Sequence, residues 1–153
     1  MRKFPLPPAT SIRDLNKTAI LFAAQLYKKK LLMSQLNHKC VLVIEVVEDI
    51  REIIRRSLDN MENWQMLSAN SIAEGSILIK TKQPDVILLE ASLLDNCHTD
   101  WQQLQTTAAK HSIPLIFMSA RVRAIDRFHF QQLGGKTAIA KPFDPKDLVE
   151  TIS

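Results

Sequence analysis

Cysteine is scarce here: Cys40 and Cys97 are the whole complement of 153 residues, too few for a disulfide framework or a metal-ligand cluster. Such usage implies a reducing, cytoplasmic setting. A secretory signal is excluded as well, because Pro5, Pro7 and Pro8 follow Arg2 and Lys3 where an apolar core should begin. The longest apolar run, residues 19–27, contains Gln25 and is too short to span a bilayer, so the chain reads as soluble. His38, His98, His111 and His129 show no spacing of a metal or catalytic set and are expected at the surface or at helix ends. Internal repeats and low-complexity tracts are absent.

Charge is present but uneven. Residues 1–40 hold eight Lys and Arg against Asp14 alone, a net of +7, so the remainder carries −3 within the total of +4. The basic character therefore belongs to the leader and gives no ground for nucleic-acid binding by the body. With 46% hydrophobic residues, the chain supports one sizeable core plus an appendage. We divide it into a basic arm and amphipathic helix over 1–39 and a folded domain over 40–153.

Three prolines make residues 1–10 an extended or flexible arm. A helix is expected next, capped by Ser11 with Asp14 three residues on. Ile12, Leu15, Ala19, Phe22, Leu26, Met33 and Leu36 then recur at three- and four-residue steps along one stripe, broken near Lys29. Lys28-Lys29-Lys30 reads first as a solvated patch. Beside an apolar stripe it also suits a dimerising helix or a helix on anionic lipid, and packing against the body or a second chain fits the stripe better.

From Cys40 the period changes. Short apolar runs alternate with amphipathic segments, predicting strands at 40–45, 64–69, 85–90, 114–119 and 137–140, and helices at 48–61, 71–82, 98–110, 121–133 and 145–152. Gln83-Pro84 should end the second of these helices and Gly134-Gly135 the fourth. Five such units predict an α/β fold, a doubly wound five-stranded parallel sheet of flavodoxin-like type with an N-terminal helical extension. Ligands of such sheets sit beyond the carboxyl ends of the strands, where Glu45, Glu90, Ser119 and Lys141 fall.

Alone, Glu45 would be a solvated residue at a strand end. Opposite Glu90 and Lys141 it reads as part of a shared polar site. Ser119 suits that site or the N-cap of the next helix equally. Lys141 ends a nearly apolar strand and needs an anionic partner or a route to solvent. Trp64 and Trp101 read as packing residues.

The runs Val41-Leu42-Val43-Ile44-Glu45-Val46, Pro84-Asp85-Val86-Ile87-Leu88-Leu89-Glu90, Ile113-Pro114-Leu115-Ile116-Phe117-Met118-Ser119-Ala120 and Lys141-Pro142-Phe143-Asp144, in this order and spacing, resemble the receiver domain of two-component response regulators. The resemblance covers residues 40–153. In that family, an acid pair and an aspartate hold Mg²⁺, the aspartate accepts a phosphoryl group from a histidine kinase, and a hydroxyl and a lysine bind the phosphate. It implies that the acid pair falls on Glu45 and Val46, the phosphoacceptor on Glu90, the phosphate ligands on Ser119 and Lys141, and the aromatic switch on Ala138.

Three positions depart from the pattern. Val46 removes an oxygen ligand, with Val47 beside it, so Mg²⁺ binding is expected to be lost or weak and no other cofactor is implied. Glu90 is longer than aspartate by one methylene, about 1.5 Å, where an error of about 1 Å can cost on the order of a hundredfold in transfer. Ala138 removes the ring that reports phosphorylation. Glu45, Glu90 and Lys141 instead balance without metal, leaving a single formal negative charge.

The expected function is a noncatalytic pseudo-receiver of phosphorelay type, not an enzyme, held in one state by Glu90 and acting through protein contacts. The partner would be a histidine kinase or a regulator's output domain, met at the face around 121–130 and 136–146, with homodimerisation through the leader helix a further expectation. Competing readings are an adaptor binding nucleic acid or a membrane surface through residues 1–39, and a residual phosphoacceptor using Asp95. Ending at Ser153, the chain reads as a stand-alone adaptor or as a segment of something larger.

Overall fold

The computed structural model describes residues 12–36, 38–96 and 98–153, and the chain divides into two compact units, Met1–His38 and Lys39–Ser153. In the first unit the described part is one helix, α1 (Ile12–Leu36), with Asp14 in its first turn. Ser11, the expected cap, lies outside the described residues. Every described side chain over 12–32 is exposed. No described helix is long and apolar enough to cross a membrane.

The second unit alternates β1 (Lys39–Ile44), α2 (Glu48–Asp59), β2 (Trp64–Ala69), α3 (Ile72–Lys82), β3 (Val86–Glu90), a 3-10 turn (Ala91–Asn96), α4 (His98–Lys110), β4 (Leu115–Ser119), α5 (Ala124–Gln132), β5 (Thr137–Ala140) and α6 (Pro145–Ile152). All strand pairings are parallel, in the order β2-β1-β3-β4-β5. The winding therefore reverses between β1 and β3, as the flavodoxin-like expectation requires.

Alternation along each strand builds two cores. Leu42, Ile44, Ile87, Leu89 and Phe117 face α3, α4 and α5, meeting Ile72, Ile79, Leu104 and Phe130. Val41, Val43, Leu88, Ile116 and Met118 face α2 and α6, meeting Ile54, Leu58, Leu148 and Ile152. A sheet buried on both faces explains why β1, β3 and β4 read as unbroken apolar runs.

Local signals set the boundaries. Ser71 Oγ caps α3 by accepting from the Glu74 N–H at 3.1 Å, and Asp144 caps α6 by accepting from the Lys146 N–H at 2.9 Å, with Pro145 opening the helix. Gln83 ends α3 in the left-handed region at φ 46°, just before Pro84. Gly134 ends α5 at φ 90°, where a side chain would be strained. Gly135 is required for a different reason: a Cβ there would lie 2.7 Å from Phe117 ring carbons.

Two expectations are corrected. Ser119 does not cap the next helix, because residues 120–123 intervene and α5 begins at Ala124. The N-cap is Arg123, and Asp126 in the first turn reaches back to accept from its backbone N–H at 2.9 Å. The 3-10 turn Ala91–Asn96 was expected as plain loop, since six residues without a repeating apolar step give no periodic signal.

Candidate functional site

Glu45, Glu90, Ser119 and Lys141 converge at the carboxyl end of the sheet. The Glu45 N–H bonds the Ala69 carbonyl at 3.2 Å, extending β1 by one residue beside β2. Glu90 is the last residue of β3, paired with Met118, and Ser119 is paired with Ala140. The Lys141 N–H donates to the Ser119 carbonyl at 2.8 Å, which places the lysine next to the end of β4.

The Lys141 ammonium lies between the two acids. Its Nζ donates to Glu45 Oε2 at 2.8 Å and forms an ion pair with Glu90 Oε2. Glu90 Oε2 has no partner beyond that ammonium among the described residues. The remaining oxygens are taken by backbone: Glu45 Oε1 accepts from the Val47 N–H at 3.1 Å, and Glu90 Oε1 from the Ser92 N–H at 3.3 Å. Glu45 is 2% and Glu90 9% exposed, so both side chains depend on such partners for the hydrogen bonds that water would otherwise supply. Burial lowers the Lys141 pKa, but hydrogen bonds to Glu45 and Glu90 and their charges outweigh it and hold the ammonium above the ordinary lysine value.

Ser119 stands beside this cluster rather than in it. Its Oγ accepts from the Arg121 N–H at 3.3 Å. Val46 is 54% exposed at the rim, with Val47 beside it at 50%. Ala138 is buried on the α3–α5 side of the sheet, in the core that holds Phe117 and Phe130, and its carbonyl accepts from Arg127 Nη1 at 3.3 Å. Sequence reasoning missed Arg51, whose Nη1 donates to the Glu45 carbonyl at 2.8 Å and whose guanidinium also meets Glu48 and Asn70. A side chain reaching a carbonyl six residues back leaves no motif to find.

Two clefts flank the cluster. One of about 630 Å³ is lined by Glu90, Ser92, Asp95, Ser119, Asp126 and His129. The other, about 250 Å³, is lined by Lys141 with Ile50, Ile53, Pro142 and Phe143. Asp95 thus shares a cleft with Glu90 but sits exposed in the 3-10 turn.

Mg²⁺ demands near-octahedral oxygen coordination, against which the donors present can be set. Both inward carboxylate oxygens face an ammonium, their sister oxygens accept backbone bonds, and the Val46 side chain brings no oxygen. No group of three or more His, Cys, Asp or Glu able to hold a metal occurs among the described residues. What the arrangement can do without metal is tie the tips of β1, β3 and β5 together.

A 2-1-3-4-5 parallel sheet with acids at the ends of β1 and β3 and a lysine after β5 defines a signalling receiver fold. Residues 41–153 match the family "Response regulator receiver domain", and the chain belongs to that family. It is 27% identical over 112 residues to the phosphate regulon transcriptional regulatory protein PhoB of Pseudomonas aeruginosa, covering 72% of this chain and 48% of that one. It is 31% identical over 111 residues to the transcriptional regulatory protein CssR of Bacillus subtilis, covering 71% and 47%. The chain therefore spans about half the length of these curated relatives. Among solved structures, the chemotaxis response regulator CheY4 of Vibrio cholerae superposes with a TM-score of 0.65 at 16% identity, covering 75% of this chain and 96% of that one. The body is a receiver domain of the two-component response regulator type.

Proposed function

We propose that this receiver is a noncatalytic, phosphorylation-independent module that signals by protein contact. The observation that carries the reading is the Lys141 ammonium seated between Glu45 and Glu90. A cation of the protein's own occupies the place where charge neutralisation is needed, so no divalent ion is required to hold the acids together. Phosphoryl transfer in turn loses the ion that would neutralise its transition state. Glu90 also reaches further than an aspartate, and its Oε2 is already paired. With alanine at position 138, no ring is available to report a change at the site.

The proposed output is a fixed surface. Ile125 and Phe128 of α5 are 68% and 62% exposed and lie three residues apart, on one face of that helix. They are apolar anchors for a protein partner, for which a histidine kinase or a regulator's output domain is the class the family offers.

The test is incubation with acetyl phosphate and Mg²⁺, read by intact mass and by Mg²⁺ titration. The wild type should gain no phosphoryl group, and Val46→Asp combined with Glu90→Asp should acquire both Mg²⁺ affinity and the modification. Stoichiometric phosphorylation of the wild type, at Asp95 or elsewhere, overturns the proposal.

A further inference from the structure

We propose that α1 pairs antiparallel with α1 of a second copy, so that the chain is a homodimer joined through its leader. This stands apart from the phosphate-site reading, because it uses only residues of the first unit.

The helix is 25 residues long, about three and a half heptads and about 37 Å. Ile12, Leu15, Ala19, Phe22 and Leu26 follow a three-four step, which Lys29 interrupts with a charge and the sequence resumes at Met33 and Leu36. That is a two-residue-per-heptad seam, the pattern of helices that pair. At about 100° per residue, Leu15, Ala19, Phe22 and Leu26 fall within an arc of roughly 60° that holds no charge. All four side chains are exposed.

A second helix fits this seam better than a lipid surface does. An interfacial helix needs a clean polar face opposite the apolar one. Here Leu21, Ala24 and Leu31 share the far side with Arg13, Lys17 and Lys28, so no such face exists.

Lysine sets the direction. In a parallel pair, equivalent positions meet, so Lys29 would face its own copy and both Lys28-Lys29-Lys30 triplets would crowd one layer. In an antiparallel pair, positions whose numbers add to 48 meet. Phe22 then faces Leu26, and Lys29 faces Ala19, whose single methyl leaves room for the lysine stem to run out to solvent. The sequence closes the same series with Leu15 at the level of position 33 and Ile12 at that of position 36. The two Lys29 residues are then ten residues apart along the axis, about 15 Å, beyond the screening length of about 8 Å at physiological salt. The helix net charge of +4 disfavours any pairing, and antiparallel packing is the arrangement that spreads it.

The test uses the full chain. Sedimentation equilibrium should give a dimer in the micromolar range, and Phe22→Asp should raise its dissociation constant at least about a hundredfold. The melting of the body should stay unchanged. Orientation is read by disulfide trapping in a Cys40→Ser, Cys97→Ser background. Ala19→Cys and Lys29→Cys chains should cross-link when mixed, and neither should cross-link with itself. A monomeric wild type, self-linked Lys29→Cys, or monomeric binding to anionic vesicles that Phe22→Asp abolishes each overturns the proposal.

Discussion

Replacing Lys141 by methionine keeps most of the side-chain volume and removes the one cation shared by two buried acids. Its ammonium is the partner of Glu45 Oε2 at 2.8 Å and of Glu90 Oε2, with the lysine side chain itself 16% exposed. Removing one member of a buried pair typically costs about 3–5 kcal/mol, and two carboxylates lose their counter-ion here, so the upper part of that range applies. Against a total stability of about 5–15 kcal/mol, that is a large fraction. At about 4 °C per kcal/mol for a domain of this size, the melting temperature should fall by about 16–20 °C near neutral pH.

The pH dependence separates this cause from lost packing. In the wild type, the lysine's folded pKa is raised above its ordinary 10.5. Its contribution is therefore complete below pH 10.5 and is lost as pH rises through the folded value. Thermal melts of both proteins across pH give the comparison. A Lys141→Met melt within a few degrees of wild type at neutral pH, or a deficit that does not change with pH, would refute the shared-cation account.

Gly135→Ala should destabilise by about 1–3 kcal/mol, read by urea denaturation. The new methyl meets Phe117 ring carbons at 2.7 Å, and that ring is already stacked on Phe130 at 4.7 Å between centroids. An unchanged midpoint would show that the aromatic stack yields. Asp126 should titrate by NMR at about 2, held down by the Arg123 guanidinium and then by the Arg123 backbone N–H. Arg123→Gln should move it upward, toward the ordinary 3.8, and a value still near 2 would remove the guanidinium as the main cause.

Most of the body was legible because each of its elements carries a local signature. Strands at 64–69 and 137–140 were predicted with the observed bounds, and the others shifted by one residue, since buried apolar runs end sharply at the polar residues that form the site. The site itself was legible from four strand ends, as the winding of such a sheet brings them together whatever the loops do. What the sequence could not show was the bonding pattern. The expected pairing of Lys141 with Glu90 is present, and beside it the ammonium makes a 2.8 Å hydrogen bond to Glu45, a bond set by the approach of segments 96 residues apart, while Ser119 accepts from the nearby Arg121 N–H. The span 121–133 was read as one helix, and α5 is shorter because the connection from β4 runs on to Arg123.

The two indoles lie in separate environments. Trp101 is buried in the α3–α5 core, tilted against Phe117 at 5.8 Å, while Trp64 opens β2, half-exposed, with the Lys39 ammonium 5.6 Å from its ring. Fluorescence can therefore report two places at once. Emission from Trp101 follows the interior of one layer, and quencher access to Trp64 follows the edge where the body begins, giving an optical handle on each without any added label.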